Sequence, residues 1–297
     1  MAFPLGLVPR IVAVLGLLLT LTSPCSAFAQ PLEWTQHGAI AEGSQFDAAR
    51  GPDGRVHLIS SRYYALASDG TVLGDEDPGD GHQGDLDFPP AIAVGTDGAV
   101  HVVTRHDGDF EGGNDIRYRR RNPGGSWDLD YLIGSRERRN YVVGVTTVGA
   151  RVIAAYTSAG DDVWGDIRLW EAGEDSASAL GNLSGIWRAD TGIRMRTSGD
   201  RLFLASGVPD PDGRAYLLHS DAGGDLVGTL ATNTWEHHEG SGRRGFVDLF
   251  VDAGGQAHLT YGAEQTAHYN RYDPAGDRVF ATDVQIGSGL GEWHMST

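Results

Sequence analysis

Apolar and polar residues alternate along this chain in short runs, and pairs of such runs flank a small turn containing Gly or Asp. Five segments repeat the pattern: Phe46–Ser60, Ala91–Arg105, Val142–Tyr156, Gly192–Ser206 and Val247–Tyr261. Alternation with a period of two predicts half-buried strands, and the turn residues predict hairpins. Aligned on the turn, Gly54, Gly98, Ala150, Asp200 and Gly255 are equivalent, with steps of 44, 52, 50 and 55 residues. A third strand is predicted at Asp115–Arg121, Asp166–Ala172, Ala215–Asp221 and His268–Pro274, and a fourth at Ser126–Ser135 and Val279–Ser288. No stretch carries a helical period, and the 43 glycines suit many tight turns.

A recurrence of about 40–50 residues with several strands per unit predicts an all-β chain, a β-propeller of about five four-stranded blades, over residues 30–297. The ends leave two closures open. Pro31–Gly43 resembles the outer strand at Ser126–Ser135 and would complete a last blade, yet the fifth repeat already has an outer strand. Gly291–Thr297 then reads as the approach to a further repeat. Either five blades close with one surplus strand, or the ring is incomplete and leaves a sheet edge exposed.

Ahead of the repeats, Arg10 is followed by IVAVLGLLLTLTS and then by SAFA, which predicts a signal peptide over residues 1–29, cut after Ala29. The apolar run ends at Pro24 and is shorter than the ~20 residues of a membrane span. The expected location is therefore secreted or periplasmic. Cys25, the single cysteine, leaves with this segment, so the mature chain carries no thiol and no disulfide. About 268 remaining residues can bury a core without such staples.

The formal charge is −17, from 23 Lys and Arg against 40 Asp and Glu. A field of this sign disfavours nucleic acid and anionic membrane surfaces as partners. An acidic polysaccharide would need a local basic cleft. Two Arg clusters offer one: Arg117, Arg119, Arg120 and Arg121, and Arg136, Arg138 and Arg139. The alternative is that they pair with nearby carboxylates.

Polar residues that end the second strand of each repeat are candidates to converge near a central channel. They are Arg62, Tyr63 and Tyr64; Arg105, His106 and Asp107; Tyr156 and Thr157; Ser206; and Tyr261. His57, His101 and His258 recur three positions after the turn glycine. Equivalent sites on separate blades spread around a ring, so turn capping or packing between blades is expected before metal binding. The acidic loop Asp75–Asp87 sets Asp75, Glu76, Asp77, Asp80, Asp85 and Asp87 around His82. Its oxygen density makes it a Ca²⁺ candidate, but its spacing is not that of an EF-hand. No other cofactor is expected. Trp164, Trp170, Trp187 and Trp235 are candidate stacking platforms for sugars, or core between blades.

The stretch DGHQGDLDFPPAIAVGTDGAVHVVTRHDG, with RNYVVGV and AYTSAGDD after it, resembles the BNR-repeat propeller family that includes the ulvan lyases. The likeness covers about 85 residues. His82, His106 and Tyr141 match the family's two His and first Tyr, while Thr157 stands where the family has Arg. The resemblance implies β-elimination on a uronic-acid polysaccharide. In that reading His106 or His82 acts as base or acid with Tyr141 as partner. Arg105 or Arg139 faces the substrate carboxylate, and Tyr156 contacts substrate. The alternative is a propeller that binds glycans or proteins without cleaving them, or an inactive relative. The sialidase Asp-box S-x-D-x-G-x-T-W is absent, since NPGGSW keeps only its Gly and Trp.

Overall fold

The computed structural model describes residues 46–78, 89–107, 114–134, 139–159, 164–179, 187–188, 193–208, 214–220, 236–239, 247–263 and 266–288. All regular structure in them is β. Blade 1 is β1 (Asp47–Arg50), β2 (Val56–Ile59), β3 (Tyr63–Leu66) and β4 (Val72–Glu76), antiparallel in that order. Blade 2 repeats it with β5 (Ala91–Val94), β6 (Val100–Asp107), β7 (Asn114–Arg121) and β8 (Trp127–Gly134). Blade 3 is β9 (Arg139–Val148), β10 (Arg151–Ala159) and β11 (Trp164–Glu171), with two short strands, β12 (Ser178–Ala179) and β13 (Trp187–Arg188), both paired to β11. Blade 4 is β14 (Ile193–Ser198), β15 (Arg201–Val208), β16 (Arg214–His219) and β17 (Glu236–Glu239). Blade 5 is β18 (Val247–Val251), β19 (Ala257–Ala263), β20 (Thr266–Tyr272) and β21 (Val284–Ser288). This is the predicted propeller. The outer strand expected from Val279 begins only at Val284. The Asp283 carboxylate just before it is tied down by Tyr261, Asn270 and Arg278.

The blades follow one another in chain order, inner strand beside inner strand: β1, β5, β9, β14, β18. Alternation along each strand gives every blade two faces. One packs on the blade before it and one on the blade after it. Ile59, Tyr63 and Ala65 of blade 1 meet Ile92, Val100 and Val102 of blade 2. Ala93, Val103 and Tyr118 of blade 2 meet Val145, Ala154 and Trp170 of blade 3. Phe203, Ala205 and Leu217 of blade 4 meet Leu249, Ala257 and Leu259 of blade 5. Burial of these inter-blade layers is the main source of cohesion, at about 1.5–3 kcal/mol per large apolar side chain. Among the described residues no comparable contact joins blade 5 back to blade 1, so the sheets form an unclosed array. The expected signal peptide and Pro31–Gly43 lie outside the described residues. No helix among the described residues is long and apolar enough to cross a membrane.

Candidate functional site at the channel mouth

The inner strands begin on the face that also carries the ends of the second strands. Pairing with the second strand identifies the equivalent inner positions there: Asp47 opposite Ile59, Ala91 opposite Val103, Gly144 opposite Ala155, Arg194 opposite Ala205 and Asp248 opposite Thr260. A cleft at this mouth is lined by Asp47, Ala91, Gly144, Arg194 and Arg196. Asp47 accepts the backbone N–H of Ala48 at 2.9 Å through Oδ1 and that of Ile92, in the next blade, at 3.0 Å through Oδ2. The Arg194 guanidinium lies 3.7 Å from Asp248 Oδ1 of blade 5. Gly144 needs its missing side chain, because a Cβ there would sit 3.1 Å from Ile193 Cγ2 of blade 4. The five equivalent positions thus mix one cation, two carboxylates and two small residues, and Arg196 adds a second cation to the cleft.

Arg194 escapes a reading aligned on the turn, whereas Asp47 and Asp248 each stand seven residues before their turn glycine and stay in phase. Blades 1, 2 and 5 join the first two strands by five residues, whereas Gly149-Ala150 and Gly199-Asp200 make two-residue turns in blades 3 and 4. A turn-based alignment is therefore one residue out of phase on the inner strands of blades 3 and 4. Strand pairing, not residue type, is the signal that finds Arg194.

Two predicted site residues meet. The Arg105 guanidinium, on β6, lies over the Tyr141 ring on β9, 5.4 Å from its centroid. Beside them Asn114 and Asn140 exchange amide-to-carbonyl bonds of 2.9 and 2.7 Å, pinning blade 2 to blade 3. His106 pairs across to Asp115. It follows Arg105 on a regular strand, so its side chain leaves β6 on the opposite face, the side of Val102 and blade 1. Tyr156 is buried in the layer between blades 2 and 3. Its hydroxyl donates to the Ile133 carbonyl at 2.9 Å, and its ring lies against Gly134, so both ends of the side chain are committed to packing. Thr157 is fully buried. Arg139 opens β9, and only its backbone is described. His82 lies outside the described residues.

Most of the first Arg cluster is spent on carboxylates. Arg117 and Arg119 both reach Asp130, Arg120 reaches Asp97 and Asp128, and Arg121 holds Glu76 through two nitrogens. Arg136 and Arg138 lie outside the described residues. In the acidic loop, Asp75 pairs with Arg62 at 2.6 Å, and Glu76 accepts from both Arg121 and the Trp127 indole. Asp80, His82, Asp85 and Asp87 lie outside the described residues. Among the described residues no group of three or more His, Cys, Asp or Glu is arranged to hold a metal.

The recurring histidines join neighbouring strands, and His258 also caps its turn. His57 Nδ1 lies 2.6 Å from the Tyr63 hydroxyl, His101 Nδ1 2.8 Å from that of Tyr118, and His258 Nδ1 2.8 Å from that of Tyr269. His258 Nε2 also lies 3.1 Å from the carboxylate of Asp252, the first residue of its turn. A neutral imidazole meets both partners with its proton on Nε2, accepting from Tyr at Nδ1. Burial pushes the His57 pKa down and lowers that of His101 to about 4, while it raises the Tyr63 and Tyr118 hydroxyls to about 12. Of the candidate platforms, Trp170 is core: it packs on Tyr118 and donates its indole N–H to the Glu174 carbonyl. The side chains of Trp164 and Trp187 are not described, and Trp235 lies outside the described residues.

No family model matches the chain, and no curated protein matches it. Solved structures do. The α-L-arabinanase of Penicillium chrysogenum complexed with arabinobiose superposes with a TM-score of 0.53 at 10% identity, covering 82% of this chain and 81% of that one. The SapL1 lectin in complex with α-methyl fucoside gives 0.52 at 13% identity, covering 84% of each chain. The α-L-arabinofuranosidase of Fusarium graminearum, bound to an iminosugar inhibitor, gives 0.50 at 11% identity, covering 78% of each. At identities this low the likeness speaks for the fold, and the fold is a β-propeller.

Proposed function

We propose that this chain is a secreted propeller that handles polysaccharide and takes an acidic glycan at the channel mouth. The observation that carries the reading is the Arg105 guanidinium lying over the Tyr141 ring at the junction of blades 2 and 3. A cation–π contact of this kind helps to hold the guanidinium in place, and a planar cation held in place is suited to a sugar carboxylate. Both residues belong to the stretch that resembles the ulvan lyases. The glycan-bound arabinanase and lectin support a carbohydrate ligand on a propeller of this kind. The overall charge of −17 restricts an anionic chain to such a local cation.

The finer reading is β-elimination. Arg105 neutralises the uronate carboxylate and so acidifies the proton on C5. A base removes that proton, its electron pair forms the C4–C5 double bond, and the C4–O4 bond breaks as an acid protonates the departing oxygen. His106, His82 and Tyr141 are the groups of suitable chemistry. A second reading, binding without cleavage, is favoured by the placement of His106 and Tyr141 on opposite sides of β6.

The test is to incubate the protein with a panel of uronic-acid polysaccharides and follow the ultraviolet absorbance of the conjugated product, with retention on the same polymers measured in parallel. Rising absorbance that His106→Ala abolishes and His219→Ala leaves intact supports the lyase. A flat trace with retention that Arg105→Ala removes supports the binder. Neither product nor retention on any acidic polymer overturns the proposal.

A further inference from the structure

The inner strand of blade 4 differs from the other four at two successive positions on one side of the strand. Matched by pairing with the second strand, the equivalent residues are Asp47 and Ala49, Ala91 and Ala93, Gly144 and Thr146, Arg194 and Arg196, and Asp248 and Phe250. Blade 4 alone places a cation at either position, and it places one at each. Arg194 and Arg196 are alternate residues of β14, so their side chains leave the strand on the same side. Each is half-buried and bends back to donate from Nη1 to the carbonyl of the residue before it, Arg194 to Ile193 at 3.2 Å and Arg196 to Met195 at 2.8 Å. The same bond on alternate residues gives the two guanidiniums one posture. Both line the cleft.

Arg196 reaches no carboxylate among the described residues, and its bond is to the Met195 carbonyl. Elsewhere in the chain Arg117, Arg120, Arg121, Arg151 and Arg278 each meet a carboxylate. Acid is not in short supply, with 40 Asp and Glu against 23 Lys and Arg. A half-buried cation gains most from a counter-charge, because the surrounding protein strengthens the attraction. The ion pair of Arg194 with Asp248 is long at 3.7 Å, and the Asp248 oxygen concerned already accepts the Leu249 N–H at 2.9 Å. The other carboxylate of the cleft, Asp47, has a backbone N–H on each oxygen.

We propose that Arg194 and Arg196 form an anion subsite in the channel cleft that takes one oxyanion group. Alternate residues of a strand are about 6.8 Å apart, and side chains in one posture keep about that spacing. Two charge-assisted bonds of about 2.8 Å fill most of such a span, which matches the pair to a single carboxylate or sulfate group. Arg196 keeps Nε and Nη2 for it, since Met195 takes Nη1. The subsite is separate from Arg105, which stands on β6 of blade 2. Resting on the acidic-glycan reading, the group is a further carboxylate of the glycan that meets Arg105, and the preferred ligand is a chain charged on more than one sugar. A free inorganic oxyanion has the same chemistry, and the test separates the two sources.

The whole chain is compared with Arg196→Gln and with Arg55→Gln, a control at an exposed residue paired with Asp53. Urea midpoints are measured in glucuronate, in inorganic sulfate and in chloride at matched ionic strength. The general effect of sulfate on stability is shared by the three chains, so the difference between them reads the site. The parent and Arg55→Gln are expected to gain more from glucuronate and sulfate than Arg196→Gln does. Retention on the acidic polysaccharides is followed in parallel, and Arg196→Gln is expected to weaken it about tenfold, the loss of one charge-assisted contact. A gain that Arg196→Gln abolishes, with retention that it weakens, makes the glycan the source of the group. The same gain with retention absent or unweakened makes a free oxyanion the source. Equal gains in the parent and Arg196→Gln overturn the subsite, and retention that Arg105→Ala still removes would then leave the acidic-glycan reading standing.

Discussion

Blade 2 and blade 5 carry the same local device in different surroundings. In each, a histidine on the second strand reaches diagonally to a tyrosine on the third, at 2.8 Å. In blade 2 the pair is sealed beneath blade 3, with Trp170 4.9 Å from Tyr118. In blade 5 it stands half open. The hydrogen bond is thus a property of the hairpin and needs no neighbouring blade, while the neighbour decides what the bond is worth. Blades 3 and 4 dispense with the bond and fill the same two positions with Ile153 and Leu169, and with Phe203 and Leu217. Either a satisfied polar pair or an apolar pair serves beneath a covering blade, since a buried polar group costs free energy only when it lacks its partner.

The largest effect should separate the two tyrosines. Tyr118→Ala removes a ring that is 1% exposed and strips buried His101 of its partner. The expected loss is about 3–5 kcal/mol, from cavity and unsatisfied nitrogen together. Tyr269→Ala, on the open face, is expected to cost about 1 kcal/mol, because water can replace both ring contact and hydrogen bond. Urea unfolding of the two variants beside the parent checks this. Equal losses would mean that blade 5 is as well covered as blade 2.

Acid should act through the same contrast. A buried histidine with its pKa depressed from 6.5 to about 4 binds its proton later in the folded than in the unfolded chain. Its contribution is full above pH 6.5 and is lost as pH falls toward 4, amounting to about 3 kcal/mol for His101. His57 shifts in the same direction. The carboxylates Asp97 and Asp252 have lowered pKa values, so they weaken the fold only at more acidic pH. A double variant, His57→Gln with His101→Gln, should therefore lose much of the pH dependence of the urea midpoint in that window.

How much of this was legible in advance differs from element to element. The hairpins were, because strict alternation around Gly54, Gly98 and Gly255 leaves one register that puts apolar side chains inward. The structural rather than metal-binding expectation for His57, His101 and His258 followed from their recurrence on separate blades, and each lies within hydrogen-bond distance of a tyrosine of its own blade, with His258 also bonding its turn. The place of Arg194 beside Asp47 and Asp248 was not legible, because the shorter turn of blade 4 shifts its inner strand by one residue, and only pairing restores the phase. The roles of Arg105 and Tyr156 depend on which neighbouring blade each meets. At a strand end one lies over the Tyr141 ring while the other is sealed against Ile133 and Gly134. Residue type at a strand end does not tell these apart.

The smallest effect sets two adjacent carboxylates of β4 against each other. Glu76 bridges blades 1 and 2: it holds the Arg121 guanidinium, accepts from the Trp127 indole at 3.1 Å, and its pKa is drawn down by that guanidinium. Arg121 in turn lies over the Tyr63 ring, 5.0 Å from its centroid, and so closes the rim of the blade 1–blade 2 layer. Asp75, one residue earlier, pairs with Arg62, and both side chains are nearly half exposed. Glu76→Gln is expected to cost about 1 kcal/mol, since a charge-assisted bond is lost while the amide still meets Trp127. Asp75→Asn should change stability by less than about 0.5 kcal/mol, the usual yield of an exposed pair. Raising the salt concentration should shrink the Asp75 effect further and leave that of Glu76 largely intact, because solvent ions screen the exposed pair far better than the half-buried one. Equal sensitivity of the two to salt would place the Glu76 cluster in solvent and loosen the junction between the first two blades.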